Sequence, residues 1–179
     1  MRAINRVEAF IVSVLIGGSF AGFTLSPAMA EKTVNFSCQK VGNTPVTFAR
    51  INQGESRQFI RWLSDFGSAV GYTPERRCAE VTGRLNTSSS QGGQYITHGR
   101  MNNQNVICST NYKGNGCNQL LYTLKPEDDP KAVLEDLFAL NNNDFAGRPR
   151  REAPCPTYVS INAVLAGKRV VAEEVCSAR

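Results

Sequence analysis

Residues 60–78 read IRWLSDFGSAVGYTPERRC and contain the change of periodicity that decides the fold. Ile60 and Trp62 share one face of a segment with the two-residue alternation of a β-strand. Gly67 and Gly71 then mark a loop, and a proline with charged neighbours follows it. This stretch therefore predicts a strand, a loop and the start of a helix in immediate succession.

The helix predicted after this loop has a well-marked first turn. Thr73 is a suitable N-cap, because its hydroxyl can accept a hydrogen bond from an unpaired backbone N–H. Pro74 suits the first helical position, since proline has no N–H to leave unpaired, and Glu75 favours the positive end of the helix dipole. We expect the polar segment NTSSSQGGQ (86–94) to end the helix. The buried stripe of the helix is predicted to be Cys78, Val81 and Leu85.

Alternating apolar and polar residues predict strands elsewhere in the chain. A second helix is expected after Asp129 and Pro130, which repeat the N-cap and first-position pattern. The chain is therefore predicted to be an α+β domain braced by disulfides, with a mostly antiparallel sheet and two helices packed on one face. The predicted strands are TVNFSCQKV (33–41), PVTFARI (45–51), RQFIRWLS (57–64), YITHGRM (95–101), VICST (106–110), CNQLLYTL (117–124) and TYVSI (157–161). The predicted buried face of the second helix is Val133, Leu134, Leu137 and Phe138.

Residues 1–30 have the pattern of a Sec signal peptide. A basic start, an apolar run and the small residues Ala28 and Ala30 predict cleavage after Ala30. An uncleaved membrane anchor is the alternative, but glycines in the apolar run and Pro27 favour cleavage. We therefore expect an exported protein with one domain, residues 31–179, and no transmembrane segment after cleavage.

All six cysteines follow the predicted signal peptide, which indicates disulfides formed in an oxidising compartment. The spacing C-x-x-C is absent from the sequence, so neither a thioredoxin-like redox motif nor a zinc knuckle is indicated. Sequence alone leaves the pairing open. Proximity in the predicted layout favours the pairs Cys38–Cys78, Cys108–Cys117 and Cys155–Cys176.

The residues that usually carry catalysis are few and poorly placed. Ser64 and Asp65 adjoin a predicted turn without a G-x-S-x-G elbow, and the only histidine of the sequence is His98. Glu75 and Glu80 lie five apart on a helix and so point to different faces. We therefore expect no catalytic residue, metal site or cofactor, and a protein that is more readily explained as a non-enzyme.

Arg76 and Arg77 are the most informative polar pair. Consecutive helical residues point about 100° apart, so at most one of the two lies beside the apolar stripe. One arginine could bond to carbonyls of the loop GSAVGY (67–72) or to an acidic group on the sheet. The functional alternative is a partner-binding site formed by Trp62, Tyr72 and Arg77.

The positive charge of the chain does not indicate a nucleic-acid partner. The formal net charge is +5, with the basic residues scattered except for RPRRE (148–152) and GKR (167–169). Such a distribution is typical of solvated surface and weakly favours an anionic surface. The expected partner is a protein or a membrane surface.

Several ordered motifs resemble the cyanobacterial circadian oscillating protein family. These are FSC, IRWLSDF, GYTPERRC, THGRMNNQNVIC and LLYTLKP, which cover about residues 36–140 and leave 141–179 as a C-terminal extension. The resemblance implies an exported or peripherally membrane-associated protein and implies no catalytic residues. Cys155 and Cys176 look like additions to the shared pattern of four cysteines, which supports their pairing with each other.

Two hypotheses on function remain after this comparison. The first is a non-enzymatic interaction or structural module of the cell envelope or thylakoid lumen. The expected location is the periplasm, the thylakoid lumen or the extracellular space, with peripheral attachment to a membrane as a further option. The second is a small secreted hydrolase with an unconventional carboxylate or arginine site. The single histidine and the lack of paired acids favour the first.

Overall fold

The computed structural model describes residues 33–65, 67–138, 155–169 and 171–176. The predicted α+β architecture of antiparallel strands is confirmed. The strands divide between two sheets, and a third short helix follows the last predicted strand. The helices are α1 (Pro74–Ser90), α2 (Pro130–Leu137) and α3 (Ile161–Leu165). The strands are β1 (Val34–Val41), β2 (Thr44–Ile51), β3 (Ser56–Arg61), β4 (Tyr95–Met101), β5 (Gln104–Thr110), β6 (Gln119–Thr123), β7 (Thr157–Ser160) and β8 (Ala172–Glu174).

The first sheet has the order β1-β2-β3 and is built from two successive hairpins. The turn between β1 and β2 uses Gly42 at φ +59°, a left-handed conformation that glycine adopts without strain. At this end of the sheet Val41 pairs with Thr44, and the backbone N–H of Trp62 donates to the Pro45 carbonyl at 3.0 Å. The residues after β3 therefore lie beside the β1–β2 turn.

The second sheet has the order β6-β5-β4-β7-β8. The meander β4-β5-β6 matches the prediction, and Met101 pairs with Gln104 across the two-residue turn of Asn102 and Asn103. Both asparagines have positive φ, which asparagine tolerates better than most residues. β7 joins the other side of β4, so the C-terminal part of the chain extends this sheet.

Helix α1 begins as predicted and ends later than predicted. The Thr73 hydroxyl accepts from the N–H of Arg76, and Pro74 occupies the first turn. The expectation that NTSSSQGGQ ends the helix is wrong for its first half, because α1 continues to Ser90. The predicted stripe of Cys78, Val81 and Leu85 is at most 1% exposed. The polar residues of the last turns are held in the helix by hydrogen bonds to neighbouring strands.

The C-terminal elements were only partly predictable. The Asp129 side chain caps α2 by accepting from the N–H groups of Lys131 and Ala132. Of the predicted buried face, Leu134 is fully buried, while Val133, Leu137 and Phe138 are partly buried against the core. Helix α3 and strand β8 were not predicted, because each is too short to show a period.

Three disulfides close the fold, and they are the three pairs favoured from the sequence. Cys38 of β1 is joined to Cys78 of α1, which ties the first sheet to the helix. Cys108 of β5 is joined to Cys117, just before β6. The third disulfide joins Cys155 to Cys176 and spans the C-terminal segment. The predicted signal peptide and its cleavage after Ala30 lie outside the described residues.

Candidate functional site

Helix α1 lies along β1 and occupies its edge. The N–H of Phe36 donates to Oδ1 of Asn86 at 2.8 Å, and Nδ2 of Asn86 donates to the Phe36 carbonyl at 2.9 Å. Ser89 donates to the carbonyl of Val34 at 2.8 Å. The amide of Asn86 thus substitutes for a neighbouring strand and blocks the edge against further pairing.

Other residues of α1 bond to β2 and to the second sheet. Thr82 and Thr47 of β2 share a hydrogen bond of 3.0 Å, and Ser88 and Ser109 of β5 share one of 2.6 Å. The guanidinium of Arg84 donates to the Leu121 carbonyl of β6 at 2.5 Å. The polar residues of α1 therefore connect strands of both sheets, which explains why the helix persists through a sequence of low helix propensity.

Trp62 and Arg77, which the sequence suggested as partner-binding residues, lie beneath the surface. Trp62 is 5% exposed and its indole N–H donates to the Thr47 hydroxyl at 3.0 Å. Arg77 is 9% exposed, with its guanidinium 5.7 Å from the centre of the Trp62 ring and a hydrogen bond to the Ser64 carbonyl. Burial lowers the pKa of Arg77. The acceptor is the carbonyl of Ser64, which precedes the loop GSAVGY (67–72) whose own carbonyls were predicted to bind one of the two arginines.

Tyr72 is held against α1 by a cluster of polar groups. Its hydroxyl donates to the Glu80 carboxylate at 3.0 Å, and Nε of Arg76 donates to the same carboxylate at 2.8 Å. The Arg76 guanidinium lies 5.5 Å from the centre of the Tyr72 ring. The Arg76 hydrogen bond is the main cause of the lowered pKa of Glu80, and burial is the main cause of the raised pKa of Tyr72.

The loop between β3 and α1 is held by its own backbone as well. The backbone N–H of Ser68 donates to the carbonyl of Asp65, and the backbone N–H of Tyr72 donates to the carbonyl of Gly67. Gly67 has φ +82°, and a Cβ there would lie 3.0 Å from the Cβ of Tyr72, so this position requires glycine. Residue 66 lies outside the described residues. The described part of the loop is therefore preorganised by contacts on both sides.

The loop presents apolar side chains to solvent. Leu63 is 70% exposed and Val70 is 83% exposed. Val41, at the end of β1, is 45% exposed and lies at the same end of the first sheet as Leu63. We call Val41, Leu63 and Val70 the loop surface. Sequence reasoning missed it, although the alternation that points Trp62 inward would have pointed Leu63 outward.

The groups considered for catalysis do not assemble into a reaction centre. Nε2 of His98 accepts the Thr157 N–H at 3.3 Å, and burial lowers the pKa of the ring. Ser64 contributes its carbonyl to Arg77. Within the described ranges, no three residues among His, Cys, Asp and Glu come together in a way that could hold a metal ion.

A shallow cleft lies at the other end of the first sheet. Its volume is about 260 Å³, and its lining combines the charged residues Glu55 and Arg57 with small and aliphatic residues. That volume is below the usual range of small-molecule sites, roughly 300–1,000 Å³. Its lining offers no nucleophile or metal ligand set. The residues that line it are Ala49, Ile51, Gly54, Glu55, Arg57 and Leu165.

Comparison with known proteins identifies the family. Among the described residues, none of the helices combines the length and apolar character needed to cross a bilayer. No curated protein and no solved structure matched the chain. The family model described as circadian oscillating protein COP23 matches residues 35–166, which extends past the core expected at about 36–140 and includes Cys155. The chain therefore belongs to the circadian oscillating protein COP23 family.

Proposed function

We propose that this protein is an exported, non-enzymatic binding module that docks a partner protein through the loop surface of Val41, Leu63 and Val70. The observation that carries the proposal is the contrast between a firmly held loop and the exposed apolar side chains on it. Leu63 and Val70 are large apolar residues that the same loop leaves exposed, and exposed apolar surface often marks interaction sites.

Preorganisation supports binding as the role of the loop. Arg77 and Trp62 hold the start of the loop through hydrogen bonds to the Ser64 carbonyl and to Thr47. Tyr72 holds its end through the hydrogen bond to Glu80 of α1. A loop already ordered before binding loses little conformational entropy when a partner docks. Trp62, Tyr72 and Arg77 thus contribute to the proposed site as supports, with Leu63 and Val70 as the contacts.

The charges beside the loop surface favour a protein partner over a bilayer. Lys40 pairs with Glu75 at 3.4 Å, and Arg76 pairs with Glu80 at 2.8 Å. The positive charges of Lys40 and Arg76 are thus each matched by a carboxylate. An anionic lipid surface attracts clusters of lysine and arginine and would gain little here.

The location proposed for this binding is outside the cytoplasm. Three disulfides are typical of oxidising compartments, and the signal-peptide pattern of residues 1–30 is consistent with export. The periplasm, the thylakoid lumen and the medium all meet this condition. Peripheral attachment to a membrane would then follow from a membrane-bound partner protein.

The test is a double variant, Leu63→Ser with Val70→Ser, expressed as the full chain in its host. Tyr112→Ser is the matched control, because Tyr112 is 66% exposed on the turn between β5 and β6. We expect the wild type and the control to elute in a larger complex from the extracytoplasmic fraction, and the double variant to elute alone. Thermal unfolding of the purified variants checks that all are folded.

Two results would overturn the proposal. One is identical elution of the wild type and the double variant. The other is binding of the purified wild type to vesicles of anionic lipid that the double variant loses, which would make a lipid surface the ligand.

A further inference from the structure

Two side chains of β4 complete the end of its ladder with β7. Regular pairing ends at Thr97 and Tyr158. Beyond that pair, the Thr157 N–H donates to Nε2 of His98 at 3.3 Å, and Oγ1 of Thr97 donates to the Thr157 carbonyl at 2.7 Å. Thr157 is fully buried, so its backbone groups depend on these side chains rather than on water.

We propose that His98 is a pH-sensitive clasp that holds the start of β7 to β4 and loosens it in acid. Neutral imidazole can accept a hydrogen bond at Nε2, whereas imidazolium carries N–H on both nitrogens and only donates. Protonation of His98 removes the acceptor of the Thr157 N–H. Two donors then face each other at a buried position, and the start of β7 moves away from β4.

The surroundings of His98 set the direction of the response. Asp129 at the start of α2 and Glu174 of β8 favour the charged ring, whereas burial and Lys131 of α2 oppose it. Burial is the largest influence, and the pKa of His98 lies below its ordinary value of 6.5. The clasp is therefore closed at neutral pH, and it opens as the pH falls below 6.5 toward the lowered pKa.

The C-terminal segment can loosen without separating from the protein. The disulfide between Cys155 and Cys176 encloses both β7 and β8, and the Val175 N–H donates to the Pro156 carbonyl at 3.0 Å. These links are internal to the segment and do not titrate with His98. Opening of the clasp is accordingly local and reversible, and it is independent of the proposed loop surface.

The test uses the oxidised protein and two NMR measurements. His98 is the only histidine of the sequence, so its ring signals need no assignment. We expect the Nδ1–H tautomer at pH 7 and a titration midpoint below 6.5. Exchange of the Thr157 amide, corrected for its intrinsic pH dependence, should rise about fivefold through that midpoint, the equivalent of one lost hydrogen bond. The amide of Ile107, a fully buried residue that lies opposite His98 in the β4–β5 ladder, serves as the internal control.

Two variants separate the clasp from a general effect of acid. Glutamine in His98→Gln keeps an acceptor that does not titrate, so protection of Thr157 should become independent of pH. His98→Leu removes the acceptor, so Thr157 should exchange fast at every pH while Ile107 stays protected. A midpoint at or above 6.5, unchanged Thr157 protection in acid, or a wild-type pH response in His98→Gln would each overturn the proposal.

Discussion

The guanidinium of Arg77 lies 5.7 Å from the centre of the Trp62 ring, and both side chains are almost fully covered. The same guanidinium donates to the Ser64 carbonyl, so one side chain connects α1 to the end of β3 and to the loop that follows. This contact leaves Leu63 exposed while its neighbours on both sides are anchored. Stability and the proposed binding surface therefore depend on the same residue.

Replacement of Arg77 is expected to be strongly destabilising. Arg77→Ala removes a buried aliphatic stem, a cation–π contact and the donor to Ser64, so we expect a loss of about 2–4 kcal/mol in the free energy of unfolding. Arg76→Ala is the control, because its ion pair with Glu80 is exposed to solvent and should contribute little to stability. Urea denaturation measures the free energy of unfolding of both variants. Equal losses for the two variants would contradict the assigned role of Arg77.

Asn86 is expected to stabilise the fold through the edge of β1. Asn86→Ala leaves the N–H and carbonyl of Phe36 without their partners and should cost about 2–3 kcal/mol. Asn86→Asp keeps the acceptor and loses the donor, so its cost should be intermediate. Thr87→Ala, at an exposed site of the same turn, should change stability by no more than about 0.5 kcal/mol. Denaturation midpoints in urea would show this order, and a neutral Asn86→Ala would refute it.

Glu80 should make stability depend on pH in the acid range. Its pKa is lowered from 4.5, first by the Arg76 hydrogen bond and then by that of Tyr72. A lowered carboxyl pKa stabilises the protein above pH 4.5, and this contribution is lost as the pH falls through the lowered value. The difference in stability between the wild type and Glu80→Gln should therefore be present at pH 7 and disappear in acid. A difference that grows as the pH falls would have the wrong sign.

The three disulfides should differ in their contribution to stability according to the loops they close. The joined cysteines are 40, 21 and 9 residues apart for Cys38–Cys78, Cys155–Cys176 and Cys108–Cys117. Chain entropy then predicts losses of roughly 3.9, 3.3 and 2.6 kcal/mol for the corresponding double alanine variants. Thermal and urea unfolding under oxidising conditions would test the order. A larger loss from the shortest loop than from the longest would contradict it.

Much of the fold could be predicted because its signals are local. Thr73 with Pro74 and Asp129 with Pro130 mark helix starts by their chemistry alone. The alternation of apolar and polar residues predicted the strands of the hairpins. The predicted order of strands and helix then placed the cysteines close together in pairs. These features depend on neighbours in the sequence or on the simplest packing of adjacent elements.

The features that escaped prediction depend on distant partners. Asn86 and Ser88 disfavour a helix by themselves, yet their bonds to β1 and β5 keep them helical. Trp62 was a candidate for contact with a partner, but its indole N–H finds a buried acceptor in Thr47. The exposure of Val70 results from the path of the loop, which no sequence period encodes.

The most direct test of the loop surface is site-specific photo-cross-linking in the host. A photoreactive amino acid replaces Leu63 in the full-length protein, and the matched control carries it at Tyr112 on the turn between β5 and β6. We expect a discrete adduct with one other protein from position 63 and none from position 112. A lipid adduct, a homodimer, equal adducts from both positions, or no adduct from position 63 would contradict it.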